Sequence, residues 1–175
     1  MHIDDVFLAL DQLGTKLISG TYYRHTAPRR DPLSGEGSRM VGGRWNRPGT
    51  EALYLAAPLD CCSAEFRRMA MGQGRGAESF LPRTLHTISV TELETIDLTH
   101  DASRAAVGLE PGDIAADLWE TCQVIGDAVD TLGVGGLLAP SATETGNVLT
   151  VFVRHAHHQQ LEVVNSKVVD SSSSW

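Results

Sequence analysis

The stretch from Leu33 to Asn46, Leu-Ser-Gly-Glu-Gly-Ser-Arg-Met-Val-Gly-Gly-Arg-Trp-Asn, constrains the fold more than any other part of the chain. Gly35, Gly37, Gly42 and Gly43 fall within it, and its apolar residues follow neither a two-residue alternation nor a helical period. Such a segment buries little and reads as a loop, where glycine frees the backbone and lets it approach a ligand closely. The core must then come from the segments on either side. The polar groups of the loop are Arg39, Arg44 and Asn46, with Arg47 just beyond. Arginine offers a rigid donor fork suited to phosphate or carboxylate, and glycine-flanked amides add donors to an anion. A solvated glycine-rich surface loop has the same composition, so the stretch alone leaves both readings open.

The flanking segments carry clear periodicities. Asp4 to Leu13 is expected to form a short helix, with Val6, Leu10 and Leu13 at helical spacing. Thr21 to Arg24 is β-prone and sets Arg24 at a strand end. Glu51 to Ala57 alternates, with Ala52, Tyr54 and Ala56 on one face and Leu53 and Leu55 on the other. Pro58 suits the first position of a following helix, whose Leu59, Cys62, Phe66 and Met69 form an apolar stripe. Gly72 to Glu78 reads as a flexible connection. Arg83 to Val90 and Thr95 to Leu98 read as strands, and Pro111 to Leu132 as a helical region with room for an interruption. Val124, Ile125, Ala128, Val129 and Leu132 give that region a core face. Gly135 to Ala139 is a short buried strand ending at Pro140-Ser141, and Asn147 to Val153 and Leu161 to Val169 are β-rich. The expected fold is α+β: one domain over residues 1–170, with a mixed or antiparallel β core flanked by helices. Residues 171–175 make a serine-rich tail expected to be disordered.

A chain of 175 residues can bury a proper core, and 42% hydrophobic content is ordinary for a soluble domain. No apolar run reaches the roughly 18–20 residues that cross a bilayer. Asp4 and Asp5, with no basic segment before them, do not suit a secretory signal. Cys61, Cys62 and Cys122 make neither a disulfide framework nor a C-x-x-C knuckle, so a reducing cytoplasm is the expected compartment. The net charge of −8 argues against direct nucleic-acid binding. The charge is uneven, however. Arg24, Arg29, Arg30, Arg39, Arg44 and Arg47 face only Asp31 and Glu36 over the same span, a local positive patch suited to a small anionic ligand. Arg29 and Arg30 read equally as solvated loop residues.

Four further features have competing readings. Glu65 sits beside Phe66 on the edge of the apolar helix stripe, where a carboxylate needs a partner. A salt bridge to Arg68 or to a neighbouring element accounts for it as well as a functional role does. His155, His157 and His158 suggest a metal, but no cysteine or carboxylate stands at ligand spacing, and surface histidines fit better. Cys61 and Cys62 fall on or beside the stripe and read as small core residues rather than nucleophiles. Ser34-Gly-Glu-Gly matches half of a dinucleotide fingerprint in the wrong context, so a hydride-transfer enzyme is a poor fit.

Gly-Gly-Arg-Trp-Asn followed by Tyr54 and Glu65, with Arg24 upstream, resembles the RES domain, a family of bacterial toxins named for an arginine, a glutamate and a serine. The likeness continues in Gln123-Val-Ile-Gly126-Asp127 and Ala139-Pro140-Ser141-Ala142 and covers nearly the whole chain. It departs at Arg154-His155-Ala156-His157, where the family usually shows Asn-Pro-x-His.

The resemblance implies an ADP-ribosyltransferase-like fold and NAD⁺ as a substrate, with no metal needed. Cleavage of the nicotinamide–ribose bond passes through an oxocarbenium-like transition state. Glu65 would hold the ribose hydroxyls and stabilise that charge. Arg24 and Arg44 would bind the pyrophosphate beside the amides of Gly42 and Gly43. Tyr54 would supply a ring for nicotinamide and a hydroxyl for orientation. Asn46 and Ser141 enter by motif position as pocket hydrogen-bonders. The activity implied is NAD⁺ degradation with water or phosphate as acceptor. Transfer of ADP-ribose to a protein and an inactive NAD-binding module are the alternatives. The implied partner is an antitoxin, often with a helix-turn-helix DNA-binding domain, covering the loop at residues 33–46.

Overall fold

The computed structural model describes residues 3–171 and 175. The elements are α1 (Ile3–Leu13), β1 (Lys16–Thr26), α2 (Glu36–Val41), β2 (Ala52–Ala57), α3 (Leu59–Gly72), β3 (Arg83–Asp97), α4 (Asp101–Ala106), α5 (Pro111–Ala115), α6 (Glu120–Thr131), β4 (Gly136–Pro140), β5 (Asn147–Phe152) and β6 (Leu161–Val169), with short 3₁₀ turns at Ala77–Phe80, Val153–His155 and His158–Gln160. The six strands form a mixed sheet in the order β1-β2-β5-β4-β3-β6, and β1 also pairs with β3. The pairings therefore close a circuit, from β1 through β2, β5, β4 and β3 back to β1. Only β3 and β4 run parallel. This is the expected α+β class, with helices packed outside a mainly antiparallel core.

Alternation drives the packing. Tyr22, Leu53, Leu55, Ile88, Val90, Leu149 and Val151 point inward and fill the space the strands enclose. Val6 and Leu10 of α1 and Cys122, Ile125, Ala128 and Val129 of α6 pack with Leu137 and Phe152 on one outer face. Cys61 and Cys62 of α3 cover Ala56, Leu85 and Val148 on another.

Several boundaries differ from the sequence reading. Arg83 to Asp97 is one strand, not two, and it bends at Glu92, where φ is 48°. Ser19 Oγ accepts the Glu92 amide across that bend at 2.8 Å. β1 begins at Lys16 because β3 supplies a ladder along its whole length. Pro58 is the cap before α3 rather than its first residue. α4 had no sequence signal, and the helical region after it is interrupted between α5 and α6. Of the tail expected to be disordered, residues 172–174 lie outside the described residues. Trp175 is placed against Phe66 and His25, with ring centroids 4.9 and 5.8 Å apart.

The loop at residues 33–46 is only partly a loop. It folds into the short helix α2, and Trp45 and Asn46 are buried, against the expectation that it buries little. Long-range anchors explain this. Gly126 of α6 lies so close to the Trp45 backbone that a Cβ there would meet Trp45 O at 1.9 Å. Gln123 Nε2 donates to Gly43 O at 2.9 Å, and Arg47 Nε donates to Asp127 Oδ2 at 2.7 Å.

Candidate active site

β1 and β2 pair at Tyr23–Ala56, and the space on their outer face becomes a cleft of about 750 Å³ roofed by α2 and the segment after it and walled by α3. Arg24, Arg44, Tyr54 and Glu65 line it together with Gly42 and Gly43. Residues far apart in sequence meet here because two strands, a loop and a helix share one edge of the sheet.

α3 divides its faces sharply. Cys61, Cys62, Phe66 and Ala70 are buried toward the sheet. Glu65, Met69 and Gly72, at three- and four-residue spacing, face the cleft. Glu65 Oε1 accepts the Ser141 hydroxyl at 2.5 Å. Ser141 Oγ in turn accepts the Thr143 amide at 3.0 Å, so the carboxylate has a fixed support. The salt bridge to Arg68 does not form: Arg68 donates to Ala115 O at 2.7 Å and pairs with Asp117. Among the described residues Glu65 has no cationic partner.

Tyr54 and Asn46 form one unit. The Tyr54 hydroxyl donates to Asn46 Oδ1 at 2.6 Å and accepts the Trp45 amide at 3.0 Å. Asn46 Nδ2 donates to the carbonyls of Ser38, Arg47 and Thr50. Asn46 is fully buried and does not line the cleft. Tyr54 thus presents its ring to the cleft while its hydroxyl, whose ionisation burial pushes up, is engaged behind it. The hydroxyl role in orienting nicotinamide has no free group to carry it.

Gly42 and Gly43 contribute space rather than donors. The Gly42 amide donates to Ser38 O and the Gly43 amide to Asn46 O, both at 2.8 Å. A Cβ on Gly43 would meet the Tyr54 hydroxyl at 2.5 Å. The two amides expected to face an anion are occupied within the loop. Ser141, like Asn46, stands behind the lining: it holds Glu65 as Asn46 holds Tyr54.

The cations are set apart. Arg44 donates to Ala116 O at 2.8 Å and lies 5.8 Å from the centre of the Trp119 ring. Arg24 donates to Pro32 O and Ser34 O at 3.0 and 2.9 Å, tying β1 to the start of the loop. Burial lowers the Arg24 guanidinium to about 10, with Asp31 opposing and Arg83 adding to the shift, so it stays charged at neutral pH. His25 is pulled down to about 3 by burial, then by Arg83, Arg24 and His86, and is neutral. His25, Arg83 and Trp119 also line the cleft and carried no signal in the sequence. Arg83 reaches it only through the β1–β3 pairing, in which Thr26 lies opposite Thr84.

Cys62 also borders the cleft, and the remaining candidates fall outside it. Cys61 and Cys62 are core residues, and burial pushes the Cys62 thiol up to about 12, assisted by Cys61 and Glu65, which leaves it a poor nucleophile. His155 is no bare surface residue: with Arg154 it engages the buried Asp130, whose backbone oxygen lies 2.7 Å from His155 Nε2. His157 and His158 are exposed. Among the described residues no group of three or more metal-capable side chains gathers, and no helix is long and apolar enough to cross a membrane.

Residues 21–172 match the RES domain family. The NAD(+) phosphorylase MbcT of Mycobacterium tuberculosis is 42% identical over 160 residues, covering 90% of this chain and 86% of that protein. A second M. tuberculosis protein, named a probable NAD(+) phosphorylase, is 30% identical over 142 residues, 79% of this chain and 66% of that protein. The crystal structure of the M. tuberculosis MbcT–MbcA toxin–antitoxin complex superposes with a TM-score of 0.90 at 39% identity, covering 95% of this chain and 92% of that one.

Proposed function

This chain belongs to the RES domain family, and from that premise we propose that it is an NAD⁺-consuming toxin that transfers ADP-ribose from nicotinamide to inorganic phosphate. The observation that carries the reading is Glu65, a carboxylate in the cleft, supported by Ser141 and without a counter-ion among the described residues. A structural carboxylate would be paired. One that must face a developing cation is better left open to it.

The reaction needs little else from the protein. The C1′–nitrogen bond breaks, its electron pair leaves with nicotinamide, and positive charge develops on the ribose. Glu65 stabilises that charge and holds the ribose hydroxyls. Arg44 and Arg24 take the pyrophosphate, and the ring of Tyr54 supports nicotinamide. Asn46 and Ser141 act as positioning residues, the first through Tyr54 and the second through Glu65. A cleft of about 750 Å³ is in the range of small-molecule sites.

The antitoxin is assigned to the cleft mouth, in the cytoplasm. Val41 and Leu118 there are 77% and 85% exposed, beside Met40 and Trp119, an apolar rim suited to a protein partner. The similarity to MbcT in its toxin–antitoxin complex with MbcA supports a partner of this kind, and a helix-turn-helix domain in it is part of the proposal.

The test is incubation of purified protein with NAD⁺, with and without phosphate. The expected products are nicotinamide and ADP-ribose 1-phosphate. Plain ADP-ribose, at a rate indifferent to phosphate, would assign water as acceptor. Label on protein alone would assign a transferase.

A further inference from the structure

A side chamber of about 280 Å³ adjoins the cleft and shares Arg24, His25, Gly37 and Arg83 with it. Arg30, Thr26 and Ser34 complete its polar lining, and Asp31 is its one carboxylate. Arg44 is not part of it. Three guanidinium groups therefore face a single negative charge, and Asp31 already accepts the Leu33 amide at 2.8 Å. Arg24 is held by Pro32 O and Ser34 O. Arg83 is different. One terminal nitrogen lies 3.0 Å from His25 Nδ1, and its Nε is buried without a hydrogen-bond partner among the described residues. The Nε is closed to any ligand atom, so an anion in the chamber would meet Arg83 through its terminal nitrogens, whose charge joins those of Arg24 and Arg30 against the single carboxylate. His25 is neutral here, so it accepts from Arg83 and does not compete for the anion.

We infer that this chamber holds inorganic phosphate, with Arg83 as its anchor and Arg24 standing between it and the dinucleotide. The inference rests on the phosphorylase reading. The chamber has room for inorganic phosphate and is small for a dinucleotide. A second anion must also be kept apart from the pyrophosphate, which would repel it. Arg44 and Trp119 mark a cationic end of the cleft outside the chamber. From the chamber, an oxygen of monohydrogen phosphate bonds to C1′ as the bond to nicotinamide breaks. The proton stays on the phosphate in the product.

Initial rates with phosphate and NAD⁺ varied separately decide it, comparing wild type with Arg83→Gln. The KM for phosphate should rise roughly tenfold or more, and by a clearly larger factor than the KM for NAD⁺. Arg83→Lys keeps the charge but loses the fork, so it should show a smaller rise in phosphate KM, and it carries the test if Arg83→Gln does not fold. Phosphorus NMR of inorganic phosphate with NAD⁺-free protein gives a reading independent of turnover: line broadening should be present in wild type and absent in Arg83→Gln. An unchanged phosphate KM, or a rise in the NAD⁺ KM instead, overturns the inference and leaves the phosphorylase reading intact. If wild type shows no phosphate-dependent turnover, that reading fails, and broadening lost in Arg83→Gln would still support the anion site.

Discussion

Glu65 and His25 stand in one cleft with opposite electrostatic tasks. Glu65→Gln keeps an acceptor for Ser141, but it removes the charge that the proposed reaction sets against the ribose. Turnover should drop by about 10²–10³, roughly 2.7–4 kcal/mol, with NAD⁺ affinity little changed. A destabilised variant with full activity per folded molecule would remove Glu65 from catalysis. His25 acts on stability. Its native value of about 3 lies below the ordinary 6.5, so between those limits the unfolded chain binds a proton that the folded chain refuses. Stability conferred by neutral His25 is complete above pH 6.5 and is lost as the pH falls toward 3, by about 1.4 kcal/mol per pH unit. His86 shifts in the same direction, so the contrast between proteins isolates His25. Urea midpoints measured at about pH 7 and pH 5 should separate less in His25→Gln than in wild type. Equal separations would show that His25 titrates normally. The motif led directly to Arg24, Arg44, Tyr54 and Glu65, but it did not distinguish residues that face the cleft from those behind it. Asn46 and Ser141 carry the same polar groups either way, and only packing decides which direction they face.

At the scale of elements, the loop at residues 33–46 and α6 behave as one piece. Gln123, Gly126 and Asp127 looked like part of a family pattern with no evident task. In the fold they clamp Gly43, Trp45 and Arg47. Gly126→Ala places a methyl where Trp45 O stands, so helix and loop must separate. Overpacking of this kind costs about 1–3 kcal/mol, and a shift of about 1 Å at Arg44 and Tyr54 should lower turnover about 10²-fold. Thermal melts and kcat on the same preparation check both effects. A variant with wild-type values in both would mean that the contact yields freely. α2 could not be read from the sequence because its six residues have no apolar stripe and owe their shape to anchors elsewhere. Ser38 Oγ, for example, donates to Ala52 O and accepts the Ala52 amide.

At the scale of the whole molecule, the cleft and its apolar rim lie on one face, so a partner seated on the rim also closes the site. Leu118→Glu, on the rim but outside the lining, should leave NAD⁺ turnover unchanged. It should weaken inhibition by the cognate antitoxin roughly tenfold or more, about 1.4 kcal/mol. Inhibition titrations with purified antitoxin measure this, and an unaltered midpoint would move the interface elsewhere. Local and periodic features were legible in the sequence: the strands around Tyr54 and Leu149, the helix α3 with Cys62 and Phe66 on its buried face, the α+β class and, through the motif, four lining residues; Met69, expected in that apolar stripe, faces the cleft instead. Alternation and helical spacing record which side of an element is buried, and they do so without knowledge of the partner. Tertiary structure alone decided the continuous β3, the closed circuit of strand pairings, the burial of Trp45 and Asn46, and the arrival of Arg83 beside His25. Most of them depend on partners distant in the chain, such as Thr95 for Lys16 or Gln123 for Gly43, and such pairings leave no period in either segment.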